Sequence, residues 1–424
     1  MNKFKISTYR NQYLYLILVC LFISSFQLNK PIIVKKKISA AQLLSDPKMK
    51  AMCYGGYRGN SREIQPSISE LKDDIKIMHA MGIRILRTYN LQFPHASNVI
   101  KAIDVLKHEN EDFEMYVMLG TWIDCKNAWT SMEPDHNDEN EENNSSEIAK
   151  AGTLANAYPD IVKIIAVGNE AMVHWASSYF VQPRVILKYV RFLQELKKNG
   201  KLPEETWITS SDNFASWGGT PEYHNDDLKQ LIEEVDYISL HTYPFHDTHY
   251  NPSFWHTPAS DSALTPTEKV ENAMDRAVEY ARNQYNSVKN YVEELGIEKP
   301  IHIGETGWAS VSRGFYGMKG SHAADEYKQA LYYQKMREWT LENHITCFFF
   351  EMFDEPWKDA NHPQGSENHF GLITVDGRAK KALWNMVDEG VFSDFTRNGV
   401  KIQKTYGGDE KSLWNHVLPP NELQ

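Results

Sequence analysis

The sequence predicts an α/β fold, a single (β/α)8 barrel of the TIM type in which helices surround a closed parallel sheet. Apolar runs and stretches with helical spacing alternate eight times along the chain. Two of these runs, Ile161–Glu170 and Pro300–Trp308, are nearly continuous in apolar residues, which is typical of strands buried on both faces. The sequence contains no repeat and no glycine-rich fingerprint loop that would favour another architecture.

The first unit shows the signals on which every element is predicted. The strand Met52–Tyr57 precedes Ile68–Met81, where apolar residues recur at helical spacing, and Gly82 ends that helix before the strand Ile83–Asn90. The same signals predict further strands at Phe113–Trp122, Ile161–Glu170, Trp207–Asp212, Tyr237–Tyr243, Pro300–Trp308 and Ile345–Phe353. They predict further helices at His95–His108, Ser146–Tyr158, Pro183–Lys198, Asp227–Glu234, Pro266–Glu294, Ala323–Glu342 and Lys380–Asp388.

The N-terminal residues are typical of a targeting segment. Basic residues precede the apolar run Leu14–Phe26, which is short for a membrane span and suits a signal peptide. Residues 1–30 are therefore predicted to direct export to a secreted, periplasmic or cell-surface location. No small-x-small cleavage site follows, so an uncleaved membrane anchor is the alternative. Residues 31–48 are predicted as a linker, and residues 49–424 as the barrel domain with a C-terminal extension.

Composition excludes several classes of function. The net charge of −11, with 24% charged residues, argues against nucleic-acid or anionic-membrane partners and favours a neutral ligand. Apart from Cys20 in the targeting segment, the cysteines are Cys53, Cys125 and Cys347, an odd and scattered set that predicts buried free thiols. No cofactor, metal site or obligate protein partner is predicted.

Acids, amides and aromatic residues stand at the predicted carboxyl ends of the strands, which converge on one face of a barrel. Glu170 and Glu305 each follow a buried strand, where an acid is either paired with a cation or kept protonated as a proton donor. For either acid alone a buried ion pair is the simpler explanation, but two at matched strand ends indicate a retaining glycosidase. The strand-end residues are Tyr54, Arg87, Tyr89, Asn90, Trp122, Asp124, Asn169, Glu170, Asp212, Asn213, His241, Tyr243, Glu305, Trp308, Glu351, Asp354, Glu355 and Trp357.

Other strand-end residues leave alternatives open. Tyr54 and Asn90 are predicted to bind substrate, and Trp308 and Trp357 are favoured as rings that stack on sugars. Glu351 is expected to reach the site, although it could instead pair with Arg87 or Lys358 like the neighbouring acids.

Two further stretches invite a metal prediction that their spacing does not support. His241, His246 and His249 follow the sixth strand, but their spacing matches no ligand pattern and favours hydrogen bonding. The acidic run Glu133–Glu147 lacks the glycine and terminal glutamate of an EF-hand, so a solvated loop is expected.

Four motifs in barrel order resemble those of glycoside hydrolase family 17, the β-1,3-glucanases and β-1,3-glucanosyltransferases, in their microbial branch. The resemblance covers about Met52 to Asp388. It implies a retaining mechanism with Glu170 as acid/base and Glu305 as nucleophile, and Asn169 holding the sugar 2-hydroxyl. It places Tyr243 near the nucleophile, with Glu351 and Lys358 as supporting or substrate-binding residues. The motifs are Val-Gly-Asn-Glu170, Ile-Gly-Glu305-Thr-Gly-Trp308, Tyr243-Pro-Phe245 and Phe350-Glu-Met-Phe-Asp-Glu-Pro-Trp-Lys358.

In such a mechanism Glu305 is ionised and its negative charge favours the protonated form of Glu170. Water then gives hydrolysis of the covalent intermediate, and a second glucan chain gives transfer. The predicted function is a laminarinase-like retaining endo-β-1,3-glucanase that acts on β-1,3-glucan polysaccharide or oligosaccharide. A β-1,3-glucanosyltransferase and a barrel enzyme for β-1,4-glucan or mannan are the alternatives. A non-catalytic glucan-binding protein is disfavoured because it needs no such acid pair.

Overall fold

Eight short parallel strands with mostly buried side chains form the centre of the fold. The computed structural model describes residues 38–46 and 48–422. Each barrel strand pairs with the next along the chain, and β8 pairs with β1 through Ala51–Phe348 and Met52–Phe349, which closes the barrel. The predicted (β/α)8 fold is confirmed. The strands are β1 Lys50–Cys53, β2 Ile83–Arg87, β3 Tyr116–Thr121, β4 Val162–Asn169, β5 Trp207–Asn213, β6 Ile238–His241, β7 Ile301–Gly307 and β8 Cys347–Phe350.

Each barrel strand is followed by a helix that packs on the outside. Two predicted helices have the observed bounds, and each begins with a proline at its first turn, where the missing N–H has no intrahelical partner to lose. The last helix is shorter than predicted, because Lys381–Leu383 forms a 3-10 turn before it. The helices are α1 Ile68–Ala80, α2 His95–Glu109, α3 Glu141–Ala157, α4 Pro183–Lys198, α5 Asp226–Glu234, α6 Pro266–Glu294, α7 Glu326–Glu342 and α8 Trp384–Asp388.

The described part of the predicted linker is folded. The helix Ala40–Ser45 starts with a capping box between Ser39 and Gln42, and its buried leucines pack on the domain. The Thr346 hydroxyl donates to the carbonyl oxygen of Leu44 at 2.6 Å. The compact unit therefore begins at Ser39, earlier than the predicted boundary at residue 49. The predicted targeting segment, residues 1–30, lies outside the described residues.

None of the helices that the structure describes combines the length and apolar character needed to cross a membrane.

The C-terminal extension is attached to the barrel through a buried ion pair. The guanidinium of Arg397 lies 3.2 Å from Asp74 on α1, and both side chains are fully buried. Arg58 also contacts Asp74, at 3.0 Å, and the hydroxyl of Tyr54 donates to the same carboxylate at 3.1 Å. This cluster joins the last segment of the chain to the first barrel unit.

Extra elements follow several strands at the carboxyl end of the barrel. Cys125–Lys126 and Asp135–Glu139 form a two-stranded hairpin after β3, so the acidic run is not the solvated loop expected from its composition. Its remaining acids open α3, where negative charge suits the positive end of the helix dipole. A π-turn, Ala215–Gly219, follows β5, and the short helix Pro244–Tyr250 follows β6. These insertions build the walls around the strand ends.

Candidate active site

The carboxylate of Glu305 receives hydrogen bonds from three side chains at the ends of β2 and β6. The hydroxyl of Tyr243 donates to Oε1 at 2.6 Å, and the hydroxyl of Tyr89 donates to Oε2 at 2.9 Å. The guanidinium of Arg87 donates to Oε2 as well and forms an ion pair with it. Glu305 is 8% exposed and Arg87 1%, so this pair is shielded from water. A carboxylate with this set of donors is held in one orientation and stays charged.

The pKa of Glu305 follows from this environment. Burial by itself raises the pKa of the carboxyl. The positive charge of Arg87, the nearby His241 and the hydrogen bonds from Tyr243 and Tyr89 outweigh burial and lower the pKa of Glu305 to about 2. Glu305 is therefore ionised at neutral pH.

Arg87 also connects Glu305 to the strand that carries Glu170. Its Nη2 donates to Oδ1 of Asn169 at 2.5 Å. Asn169 and Glu170 are adjacent at the end of β4, so one guanidinium fixes the positions of residues on β2, β4 and β7.

The backbone turns sharply at the end of β4, where Glu170 follows the strand. Gly168 has φ +86°, and a Cβ there would lie 3.0 Å from both Ala171 and Ile186. Glu170 itself has φ +45°, an uncommon conformation for a residue with a side chain. Strain of this kind persists where the surrounding structure holds it, often at functional sites.

Glu170 is more open than Glu305 and contacts a buried histidine. Its side chain is 27% exposed, and its Oε1 lies 3.1 Å from Nδ1 of the fully buried His241. Nε2 of His241 lies 2.7 Å from Oγ of Ser211, which lies 2.8 Å from Oγ of Ser239. The acid at the β4 end is thus positioned through a hydrogen-bonded chain that runs into the barrel interior.

A third buried acid, Asp212, supports the turn after β4. Its carboxylate accepts hydrogen bonds from the backbone N–H groups of Met172 and Asn213 and from the hydroxyl of Ser216. Burial, together with the nearby charge of Glu170, raises the pKa of Asp212 to about 6. Its hydrogen bond from Met172 connects it to the loop that begins at Glu170, so it helps to hold that loop in place.

Glu170 and Glu305 line the same cleft, which has a volume of about 930 Å³. Most of its other walls come from the loops after β5, β6 and β8. Tyr243 lines the cleft as well, as the sequence predicts for a residue beside Glu305. The lining residues are Glu170, Trp175, Asn213, Phe214, Ala215, Thr220, Glu222, Tyr243, His246, Asp247, Tyr250, Asn251, Tyr280, Gln284, Glu305, Phe350, Glu367 and Phe370.

Three residues predicted to bind substrate are buried instead. Tyr54 is 1% exposed because its hydroxyl bonds to Asp74. Trp308 is 0% exposed, and its indole N–H donates to the carbonyl of Ala323 at 2.8 Å. Glu351 is 1% exposed and accepts a hydrogen bond from Lys358 at 2.8 Å. The structure therefore does not place Tyr54, Trp308 and Glu351 at the cleft surface, and the substrate-binding roles predicted for them stay predictions.

Lys358, Trp357 and Asn90 do not line the cleft. Lys358 lies between two buried carboxylates, at 2.8 Å from Glu351 and 3.5 Å from Glu355. Burial raises the pKa of Glu351 well above its usual range despite this cation. The indole N–H of Trp357 donates to Glu355, while Asn90 is half-buried at the end of the β2 segment. The direct contacts of Lys358 are thus those of a structural ion pair.

No role in the site was predicted from the sequence for Arg87 or Tyr89. The usable signal was strand alternation, because Arg87 and Tyr89 are two residues apart and point to the same side, while Asn90 points to the other. His241 was expected to form hydrogen bonds, and it does so with Glu170 and Ser211.

A comparison with protein families identifies the family of this chain. Residues 51–371 match the model of the BtgE/BtgC glycoside hydrolase domain. The chain belongs to this family. It is therefore an O-glycoside hydrolase.

Proteins similar to this chain agree with this assignment. An endo-laminarinase from Formosa Hel1_33_131 is 59% identical, with a TM-score of 0.90 over 91% of this chain and 99% of that chain. A glucan 1,3-beta-glucosidase from Arthroderma benhamiae is 25% identical over 62% of this chain and 70% of its own length. A probable glucan endo-1,3-beta-glucosidase, btgC, from Aspergillus terreus is 24% identical over 75% of this chain.

One relative is much longer than this chain, and one similar structure is distant in sequence. This chain spans 42% of the length of the Aspergillus terreus protein. A β-1,3-glucanosyltransferase from Rhizomucor miehei, whose structure was solved with laminaritriose, is 19% identical with a TM-score of 0.53 over 79% of this chain and 96% of that chain. This second likeness shows the fold alone.

Proposed function

We propose that this protein is a retaining endo-β-1,3-glucanase of the laminarinase type and a member of glycoside hydrolase family 17. Glu305 is the nucleophile and Glu170 is the acid/base. The observation that carries the proposal is that Glu305, ionised by Arg87 and two tyrosine hydroxyls, shares one cleft with the more exposed Glu170.

The two glutamates lie in different environments, Glu305 buried among its donors and Glu170 open to the cleft, and they take the two roles of a retaining mechanism. The ionised Glu305 attacks the anomeric carbon while Glu170 transfers its proton to the departing glycosidic oxygen. This step forms a covalent glycosyl-enzyme. Water then attacks the same carbon, Glu170 takes the proton of that water, and Glu305 leaves as a carboxylate. Asn169, fixed by Arg87, is placed to hold the 2-hydroxyl of the sugar bound over Glu305.

The substrate assignment is supported by the relatives. The endo-laminarinase matches nearly the whole of this chain at 59% identity, and the more distant relatives are named for cleavage of 1,3-beta-glucan. The cleft presents both aromatic rings and acids, which suits a neutral, hydroxyl-rich chain.

The test is a time course of products from unbranched β-1,3-glucan. We expect the wild type to release short oligosaccharides with an early fall in mean chain length, as endo cleavage does. Products longer than the substrate would reassign the protein as a transferase. Turnover of mannan or β-1,4-glucan but not of β-1,3-glucan would overturn the substrate assignment. Binding without turnover on any glucan would leave a binding protein.

Azide distinguishes the roles of the two glutamates. Glu305→Ala is expected to lose activity by on the order of 10³-fold or more, and azide, attacking directly, restores turnover as the α-glycosyl azide. Glu170→Ala is expected to keep activity on aryl laminaribiosides with good leaving groups, and azide then gives the β-glycosyl azide. Glu338→Ala, an exposed glutamate on α7, is the control and keeps wild-type rates. If Glu305→Ala gave the β-glycosyl azide and Glu170→Ala the α-glycosyl azide, the roles assigned to the two glutamates would have to be exchanged.

We further propose that residues 1–30 direct export. Recovery of the protein from the medium, periplasm or cell surface of its host, compared with a variant that lacks these residues, tests this. Retention of both proteins in the cytoplasm would contradict it.

A further inference from the structure

Three aromatic side chains form a cluster at the carboxyl ends of β3 and β4. The ring centroids of Trp122 and Trp129 lie 5.1 and 5.2 Å from that of Tyr179, and 6.3 Å from each other. The rings of Trp129 and Tyr179 are stacked, with an interplanar angle of 21°. Trp129 is nevertheless 63% exposed. These three residues, here called the aromatic platform, combine the exposed ring of Trp129 with the half-buried rings of Trp122 and Tyr179.

The hairpin after β3 holds Trp129 in an unfavourable backbone conformation. Trp129 has φ +62° and Asn127 has φ +65°, in the left-handed region that residues with side chains rarely adopt. The turn is fixed by a hydrogen bond from the side chain of Asn127 to the carbonyl of Glu133 at 3.1 Å. A further bond runs from the backbone N–H of Cys125 to the carbonyl of Tyr179. Trp129 thus combines a strained backbone with a large apolar ring that is exposed to water. Both features are unfavourable for stability, which indicates a function for the ring.

The platform is adjacent to the proposed catalytic carboxylates but outside the cleft. Trp122 directly follows the last residue of β3, and Tyr179 belongs to the loop that begins at Glu170. Burial raises the pKa of Tyr179, and the negative charges of Glu170, Asp212 and Glu305 raise it further, as expected for a phenol near them. None of the three platform residues lines the cleft, whose walls come mostly from the loops after β5, β6 and β8.

The surface chemistry of the platform suits a neutral sugar. A glucosyl ring has apolar C–H faces that pack on aromatic rings, and its hydroxyls stay in water at the edge. Of the hairpin charges, Lys126 and Asp138 pair with each other at 2.8 Å. The exposed ring of Trp129 therefore offers an apolar surface on which such a sugar can pack.

We propose that the aromatic platform of Trp122, Trp129 and Tyr179 is a glucan-binding subsite that stacks on a glucosyl unit of the chain beyond the cleft. The proposal rests on the function proposed above. It assigns to the hairpin insertion a role in chain-length preference: substrates long enough to reach Trp129 bind more tightly than short ones.

The test compares chain-length dependence in the full-length protein. Trp129→Ala is expected to reduce kcat/KM about 10-fold more for laminariheptaose than for laminaritriose, mainly through KM, which corresponds to ~1.4 kcal/mol. Trp129→Phe retains a ring and is expected to recover most of the loss. Phe192→Ala, which removes an exposed ring on the outer helix α4, is the control and leaves both substrates unaffected.

Binding measurements separate this proposal from the proposed function. Calorimetric titration of laminariheptaose into Glu305→Gln protein, with and without Trp129→Ala, reports the subsite even if the wild type shows no turnover. Weaker binding in the double variant supports the subsite. Equal binding overturns it, as does an equal loss for both oligosaccharides or a lower Tm for Trp129→Ala with unchanged KM values.

Discussion

The Nδ1 atom of His241 lies 3.1 Å from Oε1 of Glu170, and the histidine is completely buried. We assign the proton to Nδ1, because Nε2 then accepts from the hydroxyl of Ser211, which in turn accepts from Ser239. In this arrangement His241 holds the carboxyl group of Glu170 toward the cleft. This contact joins the end of β4 to the end of β6.

Loss of this contact should impair proton transfer. We expect His241→Gln to lower kcat on β-1,3-glucan by about 10- to 100-fold, because one charge-assisted hydrogen bond is lost, with little change in KM. The loss should be smaller on aryl laminaribiosides with good leaving groups, which need no proton. Ser211→Ala, which removes only the support for Nε2, is the comparison and should cost less. Equal losses on both substrate types would show that His241 does not act through Glu170.

Tyr243 and Tyr89 provide a paired test of how Glu305 stays ionised. Tyr243→Phe removes the hydroxyl that bonds to Oε1, whereas after Tyr89→Phe the Oε2 atom still has Arg87. Because the ionised form loses a donor, the pKa of Glu305 rises from about 2, and more so in Tyr243→Phe. We therefore expect the acid limb of the kcat/KM profile to move to higher pH, further for Tyr243→Phe.

The lowered pKa of Glu305 should also make the free energy of unfolding depend on pH. A carboxyl whose folded pKa is depressed contributes stability above its unfolded pKa, about 4.3 for Glu, and this is lost as pH falls toward about 2. The acid loss of stability between about pH 5 and 2 should thus be smaller in Tyr243→Phe. Unfolding in denaturant at several pH values measures it, and an unchanged pH dependence would contradict the assigned pKa.

Arg87 should be needed for the stability of the fold. Removing one member of a buried ion pair leaves an uncompensated charge, so Arg87→Met is expected to destabilise the protein by ~3–5 kcal/mol. The double variant Arg87→Met with Glu305→Gln should be more stable than Arg87→Met alone, since no lone carboxylate remains. Denaturant unfolding of the four proteins measures the coupling. A double variant less stable than both single variants would refute the ion-pair explanation.

Lys358 should act on stability and not on substrate affinity. Lys358→Met leaves two buried carboxylates, Glu351 and Glu355, without their cation, and is expected to cost ~3–5 kcal/mol. Lys335→Met removes a more exposed pair with Asp275 and should cost no more than about 1 kcal/mol. The KM of folded Lys358→Met protein should match the wild type. A raised KM with unchanged Tm would restore the substrate-binding role inferred from the motif.

Much of the barrel was predictable because its signals are local. The bounds of α4 and α6 were predicted correctly, and the structure shows a proline in the first turn of each. The hairpin after β3 was missed because its second strand, Asp135–Glu139, is acidic and has no apolar face. Its pairing depends on contacts with Cys125 and Lys126 rather than on any propensity of its own.

By itself, the sequence determined the alternation of strands and helices and the position of Glu170 and Glu305 at two strand ends. Strand periodicity and the convergence of parallel strand ends are sufficient for that. Only the tertiary structure decided which polar groups surround those acids. Arg87 reaches Glu305 across the barrel, and Trp308 turns inward to Ala323, because side-chain direction and loop packing depend on neighbours far away in the sequence.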